Sequence, residues 1–136
     1  MNACSAFRDG GFMRALIVED DEVVQGVLSA YLTHYATDLD EQIDIQQASS
    51  ASKALSILSM RTDLFDVVFL DVRMPQISGD EIYSQLMQIR PRMLGRIIFI
   101  TGYRDDLTAR FPGLDLNILD KPFRYVQLIE AMAAIA

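Results

Sequence analysis

Three short runs of branched and aromatic residues, each stopping at polar groups, constrain this chain more than any other feature. They are Ala15-Leu16-Ile17-Val18 ahead of Glu19-Asp20-Asp21, then Asp66-Val67-Val68-Phe69-Leu70-Asp71, then Arg96-Ile97-Ile98-Phe99-Ile100-Thr101. A nearly continuous apolar run of this length fits a strand buried on both faces, as in a parallel sheet. Ile43–Ala48 and Leu116–Leu119 alternate more and read as edge strands.

Helical spacing fills the intervals. Val23, Val24, Val27, Leu28, Tyr31, Leu32 and Tyr35 form one apolar stripe, and Ala51, Leu55 and Leu58 a second. Ile82, Leu86 and Ile89 form a third, closed by Pro91, and Val126, Ile129, Met132 and Ala133 make the last. Arg104–Phe111 predicts a short helix, stopped by Pro112-Gly113. Strand and helix therefore alternate five times, which predicts an α/β fold: a doubly wound parallel sheet with helices on both faces. Such a sheet binds ligands beyond the carboxyl ends of its strands.

The 136 residues suit one domain. Met1–Phe12, with Gly10-Gly11 and no apolar period, reads as a flexible leader, with the folded domain over 13–136 and order starting at Arg14. No apolar run approaches the ~20 residues of a membrane span, and the start lacks a secretory apolar core. A formal charge of −7 repels phosphate backbones, so direct nucleic-acid binding is not expected. The single cysteine, Cys4, forms no internal disulfide and reads as a free thiol; a reducing cytoplasm fits these features.

The strand ends bring polar residues to one crevice: Glu19 and Asp20 from the first, Asp71 from the third, Thr101 from the fourth, Lys121 from the fifth. Taken singly, Asp71 reads as a loop cap, Thr101 as a strand-end hydrogen bonder and Lys121 as a surface lysine at a turn. Their joint occurrence in chain order is the informative fact. Several carboxylates held close together repel unless a cation joins them, and Mg²⁺ takes hard oxygen ligands. Asp71 can then attack phosphorus as a carboxylate nucleophile, with Lys121 supplying positive charge and Thr101 a hydroxyl donor.

The segments VEDD at Val18–Asp21, FLDVRMPQISG at Phe69–Gly79, IFITGY at Ile98–Tyr103 and DKPF at Asp120–Phe123 together resemble the response regulator receiver domains of two-component signalling. The resemblance runs from about Arg14 to the C-terminus. It implies a five-stranded sheet in the order 2-1-3-4-5, with Asp71 as phosphoacceptor. It also implies Mg²⁺ held by Glu19, Asp20, Asp71 and the backbone carbonyl of Arg73, with Thr101 and Lys121 sensing the phosphoryl group. The implied partners are a histidine kinase or histidine phosphotransfer protein. A homodimer through the surface of the fourth helix, fifth strand and fifth helix is a further expectation. Such a domain catalyses only its own phosphorylation and dephosphorylation.

The sequence departs from that pattern at three places. Ile118 stands where the family often has an aromatic residue, three before the lysine. Thr33–Gln42 is longer than usual, and the interval from Thr101 to Lys121 is shorter, which predicts a trimmed fourth helix. Arg73 and Tyr103 flank the site, and their bulk predicts a long-lived phosphorylated form.

Two other functions compete. A haloacid-dehalogenase-like phosphatase also uses a strand-end Asp, but needs a second acid two residues on, where this chain has Arg73. A phosphorylation-independent interaction module would keep the fold without needing the acid set. His34, the single histidine, reads as structural.

Overall fold

The computed structural model describes residues 11–61 and 65–135. The expected leader lies outside the described residues as far as residue 10, and Cys4 with it. The chain alternates β1 (Phe12–Val18), α1 (Glu22–Asp38), β2 (Gln42–Ala48), α2 (Ala51–Arg61), β3 (Val67–Asp71), α3 (Gly79–Ile89), a 3₁₀ segment Pro91–Arg96, β4 (Ile97–Thr101), α4 (Arg104–Arg110), β5 (Ile118–Asp120) and α5 (Tyr125–Ile135). β1 starts two residues ahead of Arg14, because Phe12 and Met13 already pair with Gln42 and Ile43.

The five strands are parallel, in the order β2-β1-β3-β4-β5. Every residue of β3 and β4 is buried, whereas β2 alternates and ends on buried Ala48. Central strands covered on both faces read as unbroken apolar runs, and edge strands do not. The period of two sorts the core. Leu16, Val18, Val68, Leu70, Ile97 and Phe99 face one layer with Ala54, Leu58, Ile82, Leu86 and Leu107. Ala15, Ile17, Val67, Phe69, Ile98 and Ile100 face the other, with Leu28, Leu32, Leu128 and Met132.

Two helices bury only part of the stripe their apolar spacing predicts. α1 turns Leu28, Leu32, Tyr35 and Ala36 to the sheet, while Val23 and Val27 stay exposed. α5 buries Leu128 and Met132 and leaves Val126, Ile129 and Ala133 exposed. In both, apolar residues are more numerous than the sheet can cover.

The long interval after Tyr31 is resolved as helix: α1 runs to Asp38, and Asp40, with φ 55°, turns the chain into β2. The arginine-flanked segment before β4 is a 3₁₀ turn that buries Met93. Arg96 donates to the Phe65 carbonyl at 2.9 Å and Arg90 to the Ser59 carbonyl at 3.2 Å, so both tie loops together. α4 is short, as the trimmed interval predicts.

Candidate functional site

Register brings the site together. Val18 pairs with Leu70, Asp71 with Ile100, and Thr101 with Asp120, so Glu19, Asp71, Thr101 and Lys121 emerge at the same end of the sheet. The three consecutive acids after β1 divide their work. Asp21 caps α1, its carboxylate accepting from the Val23 and Val24 amides at 2.9 and 3.4 Å. Asp20 is exposed, and Glu19 is buried.

Glu19 Oε2 accepts from the Asp21 amide at 3.2 Å, and Gln25 donates to the Glu19 carbonyl. Lys121 Nζ lies 2.9 Å from Glu19 Oε1 and 3.3 Å from Asp71 Oδ1. The contact to Asp71 has hydrogen-bond geometry, but Glu19 Oε1 is buried without a hydrogen-bond donor, so there the ammonium acts as a neighbouring charge. Burial, then the neighbouring Asp71 carboxylate, pushes the Glu19 pKa up against the opposing pull of Lys121. For Lys121, burial pulls the pKa down, but Glu19 and Asp71 together outweigh it and the net direction is up.

Asp71 is almost wholly buried, and Oδ1 also accepts from the Arg73 amide at 3.3 Å. Thr101 is buried; its hydroxyl oxygen accepts from the Tyr103 amide at 2.8 Å, and its carbonyl accepts from the Lys121 amide at 2.8 Å. The Lys121–Pro122 bond is cis. Gly79 opens α3 directly against the end of β3: a Cβ there would meet the Asp71 carbonyl at 2.1 Å. Only glycine permits that approach. Ser78 fixes the helix start by donating to the Glu81 carboxylate from its amide at 3.4 Å and its hydroxyl at 3.1 Å.

Glu19, Asp20 and Asp71 each offer a carboxylate oxygen, all within 4.8 Å of one another. Three hard oxygen donors, one of them buried and lacking a donor, fit a divalent cation of the Mg²⁺ type. Among the described residues, every candidate read from the sequence stands at this one sheet end. The sequence signalled Arg73 and Tyr103 as flanking residues, but not how the rim is joined. The Arg73 guanidinium lies 3.7 Å over the Tyr103 ring and pairs with Asp106 at 2.9 Å. The two partners lie far apart in the sequence, and no local spacing links them. His34 is exposed on α1, its ring edge-on to Tyr125 with centroids 4.6 Å apart.

Comparison with known proteins places this geometry. The curated relatives include the sensor kinase CckA of Brucella abortus, 30% identical over 122 residues, 87% of this chain and 12% of the relative. An uncharacterised response regulatory protein of Vibrio cholerae is 32% identical over 111 residues, 81% of this chain and 43% of the relative. The chain thus spans less than half the length of these relatives. A receiver domain protein from Clostridium thermocellum superposes with TM-score 0.73 at 25% identity, over 90% of this chain and 94% of that one. The receiver domain of the hybrid histidine kinase CckA gives 0.64 at 27%, over 90% and 97%. No helix among the described residues is long and apolar enough to cross a membrane. The receiver-domain model of response regulators matches residues 15–133, and with the same strand order and strand-end acids in place, the chain belongs to the response regulator receiver domain family of two-component signalling.

Proposed function

We propose that this domain accepts a phosphoryl group on Asp71 from a phosphohistidine of a histidine kinase or histidine phosphotransfer protein. The observation that carries the reading is the convergence of Glu19, Asp20 and Asp71 carboxylates within 4.8 Å, with the Lys121 ammonium 3.3 Å from Asp71. An Asp71 oxygen attacks phosphorus, the bond from phosphorus to the donor imidazole nitrogen breaks, and that nitrogen leaves with the electron pair. Bound at the three acids, Mg²⁺ would neutralise charge on the incoming phosphoryl oxygens. Glu19, Asp20, Asp71 and the Arg73 carbonyl are its proposed ligands. Lys121 balances the charge left on the acceptor, and the Thr101 hydroxyl, whose oxygen accepts from the Tyr103 amide, has its own proton to donate to a phosphoryl oxygen. The work is done in the reducing cytoplasm, where such donors act.

Beside Lys121, a groove of about 490 Å³ is lined by Val23, Val24, Val27, Tyr31, Pro122 and Phe123. Its exposed valines adjoin the acceptor, which supports it as the seat of the protein donor. The surface of α4, β5 and α5 remains the proposed face for a second copy.

The deciding experiment is acetyl phosphate or beryllofluoride with and without Mg²⁺, read by mass and NMR shift. A Mg²⁺-dependent adduct on the wild type, absent from Asp71→Asn, is the expected result. An adduct retained by Asp71→Asn overturns the assignment, and sustained phosphate release from small phosphoesters would mark a phosphatase instead.

A further inference from the structure

We propose that the phosphorylated Asp71 and Asp106 compete for one cation, the Arg73 guanidinium, and that this exchange transmits the state of the acceptor to α4. The inference rests on the reading of Asp71 as acceptor and adds two positioning residues to it.

The starting contacts are all at the rim. Arg73 follows Asp71 by two residues, and its amide lies 3.3 Å from Asp71 Oδ1. Its Cα is one bond of about 1.5 Å further, so a side chain as long as arginine reaches any group carried on that oxygen. The guanidinium instead bridges to the neighbouring strand end, over Tyr103 at 3.7 Å and onto Asp106 Oδ2 at 2.9 Å. Asp106 lies in the first turn of α4. The ion pair thereby ties the loop after β3 to α4.

That pair is weak by construction. Its side chains are 58% and 65% exposed, so solvent screens it. A phosphoryl group on Asp71 brings more charge and several acceptor oxygens into a buried setting, and guanidinium groups match phosphate oxygens in a two-pronged geometry. Mg²⁺ and Lys121 would meet part of this demand, but Lys121 is shared with Glu19, which leaves phosphoryl oxygens for a second cationic side chain. The guanidinium therefore turns inward and Asp106 loses its partner. α4 is a seven-residue helix, too short to hold itself. Among the described residues, its other charged ties are Arg110 to Asp80 at 3.1 Å and Arg104 to Asp120 at 2.8 Å. Loss of the Arg73 tie frees the Asp106 side of the first turn, while Arg104 keeps the helix start tied to Asp120.

A double-mutant cycle with beryllofluoride and Mg²⁺ tests the exchange. Asp106→Asn removes the competitor and should tighten beryllofluoride binding by about 1.5- to 5-fold, the worth of an exposed ion pair. Arg73→Gln, which keeps the backbone, should weaken it. In the Arg73→Gln background, Asp106→Asn should have no effect. The same tightening with and without Arg73 would mean simple removal of negative charge, and would overturn the proposal. Both side chains are exposed, so the variants should fold. As a second reading, the amide NMR shifts of Asp105–Arg110 on beryllofluoride addition should shrink in Arg73→Gln; unchanged shifts would also overturn it. If the wild type takes no beryllofluoride at Asp71, the acceptor reading itself fails, a result distinct from a flat cycle.

Discussion

At the scale of single residues, the site is a balance of charge. Glu19 is buried beside Asp71 with one oxygen lacking a donor, and its raised pKa records the cost of keeping it ionised. A cation at the acids should relieve that cost. Mg²⁺ at ten times its dissociation constant should therefore stabilise the domain by about 1.4 kcal/mol. Glu19→Gln should lose much of that gain while folding at least as well without the ion. Urea midpoints with Mg²⁺ and with EDTA measure both. Arg73 and Tyr103 both stand at the rim, and their bulk is expected to hinder an attacking water whether or not the two stay in contact. The Arg73→Asn, Tyr103→Ala double variant should accordingly lose its phosphoryl group severalfold faster than the wild type, as followed by radiolabelled phosphate. Equal or slower loss would count against the obstruction.

At the scale of elements, the strands were more legible in the sequence than the helix faces. Val67–Leu70 and Ile97–Ile100 are buried on both sides, so their unbroken apolar runs had one reading. The site was legible for the same reason, because each candidate sits where such a run stops. α1 and α5 carry more apolar residues than their packing uses, and Val23, Val27, Val126 and Ile129 were assigned inward although they are exposed. Spacing alone does not rank two overlapping stripes. Nor did it reveal the Arg73–Asp106 pair, which depends on the tertiary approach of α4.

The α1–α5 contact has its own signature. The Tyr125 hydroxyl donates to Asp38 at 2.8 Å, with His34, Tyr31 and Tyr35 nearby. Burial, then Asp38, pushes the Tyr125 pKa from 10.0 up to about 12. The folded chain holds that proton more tightly, so the associated stability is present below pH 10 and is lost as pH rises through about 12. Tyr125→Phe should flatten the stability decline across that window, measured by urea midpoints at stepped pH.

At the scale of the whole molecule, the fold keeps Asp71, the proposed acceptor, deep and the surface beside it apolar. Val23 is 73% exposed and Val27 39%, beside a loop that carries Lys121. A partner that buries them gains apolar contact while aligning its phosphohistidine. Val27→Asp should slow transfer from a protein donor by about fivefold or more, yet leave labelling by acetyl phosphate unchanged. Equal slowing with both donors would place the defect in the acceptor rather than the docking.

The stacked rim has one more consequence, for how the molecule can be watched. The chain has no tryptophan and five tyrosines. Tyr83 packs among Phe99 and Phe111, Tyr35 is buried, and Tyr31 and Tyr125 belong to the α1–α5 cluster. Among the described residues, Tyr103 is the tyrosine with a guanidinium on its face, and it stands beside the Asp71 site. If that cation withdraws as proposed, the ultraviolet absorption of a single ring should change, which would make occupancy at Asp71 visible in the unlabelled protein, with Tyr103→Phe as its blank.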